Sequence, residues 1–459
     1  MPKSARLLRG PRRACALLAI PVAIAALLAG PAAARCIDED NLETAAEAPA
    51  PGIAPPSPRD NLRQMVQAAL DRSHQVGAVK LLAEAAADDV REAEAARRVQ
   101  ASVGAGLGPG GSRSLAGTET SALQVRSSIN ISQLLYDGGK SERLTDWRQS
   151  LAESARHGAM SAQEQLALAT VSQALERSRW RQQVVVYGQY VRKMACLVEA
   201  LETIVRADRG RASELVQARK SMQQAELAQA QAQSQVRAIE VRLRRLVGDG
   251  LPGTEGLAAS MLQVPALDEL VNEVERSHDI AQLTAQAAAA NRYADAVASG
   301  GKPQVSWLVS GSHAVSAGGT RGNSQNGTFS VGVAVNIPLL SPGLAPASDA
   351  ARKRARAAEL QRLEALEARR FRVAEVHEQT LASFDRARRV GAVLRDSQQV
   401  RNFTLQQWQQ LGRRSLFDVM GAEAEHYNLR IAYVNALHDG QQLNANLLSL
   451  GRGLNEWLR

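Results

Sequence analysis

Strict two-residue alternation, set in a chain whose other patterns are helical, limits the fold more than any other feature. Val99, Ala101, Val103, Ala105 and Leu107 alternate with Gln100, Ser102, Gly104 and Gly106. Past a Gly/Ser-rich segment, Leu123, Val125, Ile129 and Ile131 alternate with Gln124, Arg126, Ser128, Asn130 and Ser132. A period of two makes a ribbon with one apolar and one polar face. Strands of about ten residues, apolar on one side and small or polar on the other, suit a barrel wall between lipid and a wet lumen.

The pattern occurs twice. Val305, Trp307 and Val309 alternate with Ser306 and Ser310, although Leu308 interrupts the polar side. A Gly/Ser/Asn-rich stretch from Ala317 to Gly327 reads as a loop and leads to Phe329, Val331, Val333, Val335 and Ile337. Arg276-Ser277-His278 repeats Arg72-Ser73-His74, and each histidine reads as a structural residue at a helix junction. The expected strands are 99–107 and 123–132 in a first repeat (61–250), and 305–313 and 329–337 in a second (251–459).

Between and after the hairpins the periodicity is that of long helices. From Ser141 to about Asp208 there is no proline, and apolar residues step by three and four, as in Leu168, Val171 and Leu175. A rod of about 100 Å follows from a rise of 1.5 Å per residue. Gly210-Arg211-Ala212-Ser213 breaks it, with Ser213 placed to cap the returning helix to about Leu246. A second proline-free run, Ala345 to Leu411, turns at Gly412-Arg413-Arg414-Ser415 and returns to about Leu450. Two shorter helices, 61–73 and 75–97, precede the first hairpin, the first capped by Asp60.

The N-terminus reads as a leader. It has basic residues, an apolar run from Ala14 to Leu28, and Ala32-Ala33-Ala34 as a small-residue cleavage site, giving a signal peptide over 1–34. Five positive charges precede residue 14, so of the formal net charge of +9 the remainder carries +4. That is no footprint for nucleic acid. Arg35 before Cys36 disfavours a lipid anchor, and Cys36 and Cys196 read equally as a pair or as free thiols. Residues 35–60, acidic and then proline-rich, read as a flexible segment.

Catalytic chemistry is not legible. His377-Glu378 lacks the second histidine of a zinc-protease helix, and the seven histidines are scattered. Gly104, Gly106, Gly108 and Gly110 lack a P-loop lysine and read as a flexible extracellular loop. No enzyme activity, cofactor or metal is expected.

The duplicated order helix, helix, strand, strand, long helix, helix resembles the TolC family of outer-membrane channel proteins. The resemblance rests on that order, on Leu135-Tyr136-Asp137-Gly138-Gly139 with its counterpart Pro338-Leu339-Leu340, and on the two Gly-Arg-x-Ser turns. It implies a mainly α fold with membrane β: a homotrimeric channel-tunnel, four transmembrane strands per chain in a shared barrel, and a coiled-coil tunnel in the periplasm. Tyr136, Asp137, Gly138, Gly139, Pro338, Pro342 and Gly343 would form the barrel–tunnel junctions. Gly210, Arg211, Ser213, Gly412, Arg413 and Ser415 would be tips that meet a periplasmic adaptor protein. By position, Arg414 resembles the family's gating arginine, Glu214 its acidic partner, and Asp418 a member of an acidic ring. Gly421 stands where the family has a second acidic residue. The resemblance implies an inner-membrane partner too, either an ATP-binding-cassette exporter in type I secretion of an adenylate cyclase–haemolysin-like toxin or a proton-driven (RND) drug pump. The reading of another class is a secreted coiled-coil structural or adhesive protein with the hairpins as oligomerisation elements, although a pure coiled coil has no use for four alternating strands.

Overall fold

The computed structural model describes residues 57–113, 119–319, 322–411, 414–451 and 453–459. The leader, Cys36 and most of the proline-rich segment lie outside these, as do Gly412 and Arg413. In chain order the elements are α1 (Pro58–Arg72), α2 (His74–Ala95), β1 (Gln100–Arg113), β2 (Glu119–Tyr136), α3 (Lys140–Ala207), α4 (Ala212–Val247), α5 (Leu267–Glu273), α6 (His278–Ala298), β3 (Gln304–Gly319), β4 (Gly322–Asn336), α7 (Leu344–Leu411), α8 (Leu416–Leu450) and α9 (Leu454–Leu458). They fall into two compact units: Gln189–Ala225, and the described residues on either side of it.

The two hairpins form one antiparallel four-stranded sheet in the order β1-β2-β3-β4. Ala101 lies opposite Ile131, Ile131 opposite Val309, and Val309 opposite Val331. Antiparallel partners share a face, so this register collects the apolar alternation of all four strands on one side. The strands are longer than the alternation predicts. β1 continues through Gly108 and Gly110, and β3 and β4 pair well into the Gly/Ser/Asn-rich stretch read as a loop. Ladder hydrogen bonds need no side chain, so glycine and serine extend a strand where apolar periodicity has ended.

Helix starts are set locally. Ser57, not Asp60, caps α1: its hydroxyl accepts from the Asp60 N–H at 3.2 Å. Pro58 occupies the first helical turn, where no N–H is required. Ser73 caps α2 by accepting from the Val76 N–H at 3.2 Å, which places His74 at a helix start. His278 likewise opens α6. The repeats are unequal, since α5 is a helix of only 7 residues where α1 has 15.

In the larger unit, α1, α3 and α8 bury Leu62, Met65, Val171, Leu175 and Ala445 in one core with Leu257 and Leu454. A second core joins Ile280 of α6, Val373 and Val376 of α7, and Leu447 of α8. The connection between the repeats is fastened by two buried carboxamides of α8. The Gln441 Nε2 donates to the carbonyls of Leu257, Ala258 and Ser260 at 2.9, 3.0 and 2.7 Å. The Asn444 Nδ2 donates to those of Met261 and Gln263 at 2.7 and 2.8 Å. One turn earlier, buried His438 bonds the Val434 carbonyl (2.9 Å) and the Ser178 hydroxyl (3.3 Å), and desolvation holds its pKa below the usual histidine value.

Two outcomes follow for stability. Asn444→Ala strands the buried Met261 carbonyl and removes the bond to that of Gln263, so thermal unfolding of the purified protein should show a loss of about 1–3 kcal/mol. Burial makes His438 harder to protonate in the fold than in the unfolded chain, so its contribution is complete above the ordinary histidine pKa and falls as pH drops below it. A His438→Gln variant should unfold with a flatter dependence on pH between about 7 and 5.

Candidate functional site

The sheet presents two faces of opposite chemistry. Val103, Leu107, Ile129, Val309, Val331 and Val333 lie on one side. On the other stand Ser102, Gly104, Ser128, Asn130, Ser310, Ser312, Thr328 and Ser330, with hydroxyl pairs Ser310–Ser330 and Ser312–Thr328 each at 2.7 Å. Arg126, bonded to Gln124 at 2.6 Å, is the one charged side chain on that polar face among the described residues. Near the end of the sheet that leads into the long helices, Trp307 lies on the apolar face and donates through Nε1 to Gln133 at 3.1 Å. An amphipathic ring with its polar tip bonded is the side chain expected at the edge of a membrane.

The β2–α3 junction turns on Asp137, Gly138 and Gly139. Both glycines have left-handed backbone, φ +67 and +83. The buried Asp137 carboxylate accepts from the N–H of Gly139 (3.1 Å), the N–H of Ser141 (2.7 Å) and the Ser141 hydroxyl, capping α3. Burial opposes its ionisation, but the Ser141 hydroxyl and the N–H groups of Ser141, Gly139 and Lys140 prevail and hold its pKa below the carboxylate norm. Lys302, just before β3, donates to the Gly138 carbonyl at 3.0 Å, and its side chain fills the space where a Cβ on Gly138 would stand. Tyr136, by contrast, is exposed.

The second junction is built differently. Pro338, Pro342 and Gly343 precede α7, but Gly343 has no left-handed backbone and a Cβ there would meet nothing. Of the seven residues expected at the junctions, Asp137, Gly138 and Gly139 carry specific geometry. The bend before α7 belongs to the prolines, which cannot continue the β-ladder or enter the helix interior.

At the tip within Gln189–Ala225, the turn is capped by Asp208 rather than Ser213. The Asp208 carboxylate accepts from the Gly210 N–H at 2.9 Å, and Arg211 lies 3.8 Å from it. Ser213 is already inside α4, two residues past the position that could cap it. Glu214 stands in the first turn of α4, where the helix dipole favours a negative charge. An ion pair of 2.7 Å, Arg219 to Glu202, ties the two helices of this hairpin together.

At the other tip, Ser415 begins α8 with a capping box. Its hydroxyl accepts from the Asp418 N–H (3.3 Å), and the Asp418 carboxylate accepts from the Ser415 N–H (3.2 Å). Arg414 lies 3.9 Å from that carboxylate and donates to Gln407 at 3.1 Å. Asp418 thus has a local structural role in the chain, and both it and Arg414 are exposed. The sequence reading missed what lies along the tip, an ion pair of 3.7 Å between Arg401 of α7 and Glu423 of α8, with relative exposures of 1% and 0%. The signal was available, because Arg401 continues the three-four spacing Leu394, Ser397, Arg401, Thr404, Trp408, Leu411.

No protein-family model and no curated protein matches this chain. Solved structures do. CusC, whose structures concern folding and transmembrane channel formation, is 17% identical with a TM-score of 0.75 over 86% of this chain and 92% of that one. The outer membrane protein VceC of Vibrio cholerae is 19% identical, TM-score 0.73, over 86% and 96%. The MtrE outer membrane channel of Neisseria gonorrhoeae, in its open state, is 16% identical, TM-score 0.68, over 86% and 89%. The chain has the channel-tunnel fold. At these identities the likeness extends to architecture, mainly α with a membrane-type β-sheet. No helix among the described residues is long and apolar enough to cross a membrane.

The junction geometry gives two checks. Gly138→Ala combines a left-handed backbone with a clash against Lys302, so the heat stability of the detergent-solubilised protein should drop by about 1–3 kcal/mol, while Gly343→Ala should leave it unchanged. Asp137, with its depressed pKa, stabilises the fold fully above the ordinary carboxylate pKa. That contribution fades as pH falls below about 4, so Asp137→Asn should remove this part of the acid sensitivity.

Proposed function

We propose that this chain is one protomer of a homotrimeric outer-membrane channel-tunnel, a passive conduit in a tripartite export system. The observation that carries the reading is a four-stranded sheet, apolar outside and polar inside, whose two edges are open and whose strands lead into long helices. Four strands are about half of what the smallest barrel needs, and lipid tolerates no open sheet edge. Three copies supply about twelve strands, and α7 alone, with 68 residues, reaches about 100 Å from the barrel. The likeness to VceC and MtrE, both outer membrane channels, supports the same reading. The barrel would lie in outer-membrane lipid and the tunnel in the periplasm. The tips at Gly210, Arg211, Ser213, Gly412, Arg413 and Ser415 would meet a periplasmic adaptor.

Of the two inner-membrane partners, we favour an ATP-binding-cassette exporter secreting an unfolded toxin-like protein over a proton-driven drug pump, because Arg35 before Cys36 is unsuited to the lipid anchor of drug-efflux members. A deletion strain separates them. Loss of toxin from the medium with unchanged drug susceptibility is expected, and the reverse pattern would assign the chain to a pump.

Glu214, Arg414 and Asp418 are proposed to close the tunnel at its tips, as charged rings in a narrow passage. Neutralising Glu214 and Arg414 together should raise single-channel conductance in planar bilayers, and unchanged conductance would discard the gate. A Cβ at Gly421 meets nothing within 4 Å, so aspartate fits there. Gly421→Asp should add negative charge one turn from Asp418 and strengthen block by multivalent cations.

A further inference from the structure

The edges of the sheet carry enough information to set how neighbouring copies join. This inference rests on the threefold channel proposed above and specifies its seam. The hydrogen-bonded row through Gln100, the first residue of β1, passes Ser132, Leu308 and Gly332. Beyond that row, on the helix side, β2, β3 and β4 continue to Tyr136, Gln304 and Asn336. The margin of the sheet therefore slides about four residues between β1 and β4, and it slides toward the tunnel.

In a symmetric ring the next copy's β1 must start level with the first copy's β1. We propose that β4 of one protomer pairs with β1 of the next in the register that sets Asn336 opposite Gln100. Val333 then meets Val103, Val331 meets Ala105, and Phe329 meets Leu107. The register uses all of β1 and all of β4 but Gly322, from Asn336 opposite Gln100 to Asn323 opposite Arg113. Pairing along the unshifted row, with Gly332 opposite Gln100, would leave Val333 to Asn336 without ladder partners in lipid.

Closure geometry selects the same offset. A slide of about four residues is about 13 Å along the strands, over a protomer about 19 Å wide, which gives a strand tilt of about 35°. That is within the range for membrane barrels, about 35–45°, whereas no slide gives no tilt and no closure. A slide of six residues gives about 46° and leaves the first two residues of β1 unpaired. Faces agree as well, because Val331 and Phe329 lie on the same apolar side as Ala105 and Leu107. The apolar residues of the edge strands are the more exposed in the single chain: Val103 78% and Phe329 87%, against Ile129 52% in β2. The missing lateral neighbours are what a second copy supplies.

Cysteine pairs in the full-length protein test this. Ala105→Cys with Val331→Cys, and Gly106→Cys with Ser330→Cys, sample one pair on each face. The offset pairs are Ala105→Cys with Phe329→Cys and Ala105→Cys with Val333→Cys. Single variants control for the native cysteines. After mild oxidation of isolated membranes, non-reducing electrophoresis should shift the first two from monomer to covalent trimer, and the offset pairs should stay monomeric. Trimer-mass bands from an offset pair, or from no pair in a protein that sediments as a trimer, overturn the register and leave the channel reading standing. Sedimentation as a monomer in detergent overturns both.

Discussion

Unpaired backbone at the two edges of the sheet is the constraint on which the architecture depends. Each N–H and C=O left open in lipid costs several kcal/mol, and the outer strands β1 and β4 expose a row of them along their whole length. Only another strand can satisfy such a row. The apolar face, the polar face of serine and glycine, and the sharp entry into α3 and α7 become mutually consistent once the edges are paired around a ring. Taken alone, the same sheet is an aggregation template with a solvent-exposed apolar face.

The helices solve a different problem with different residues. A chain with only 3% aromatic residues cannot fill broad cores, so its helices approach closely through small side chains. Ala294 of α6 meets Ala351 and Ala355 of α7, and Gly440 of α8 admits the ring of Phe384. Packing of this kind is tight but repetitive, and repetition invites slippage. Buried polar groups fix the register instead. Gln441 and Asn444 match five specific carbonyls, and Arg401 opposite Glu423 allows one alignment of α7 on α8 without an uncompensated buried charge.

Much of this was legible in residues, because period and punctuation are local. Alternation announced four strands, and three-four spacing announced the long helices. Asp137-Gly138-Gly139 stood out as a turn, and the left-handed glycines give it a cause. What escaped the sequence reading was also physical in origin. Asp208 displaced Ser213 as a cap because the chain makes one 3-10 turn, Arg209–Arg211, before α4 begins. Strand ends were underestimated where ladder hydrogen bonds continue through glycine and serine. Arg401 was passed over because a charged residue on an apolar stripe looks like an interruption until its partner on another helix is known.

The sequence by itself determined the elements, their duplication and the amphipathic character of the sheet, since these follow from spacing along one strand of chain. It could not determine that the two hairpins adjoin as a single sheet, nor that β2 pairs with β3 so that Ile131 meets Val309. That contact joins residues far apart in the chain, and only tertiary structure sets its register. The slide of the sheet margin, and with it the geometry by which copies can close a barrel, is a property of that register.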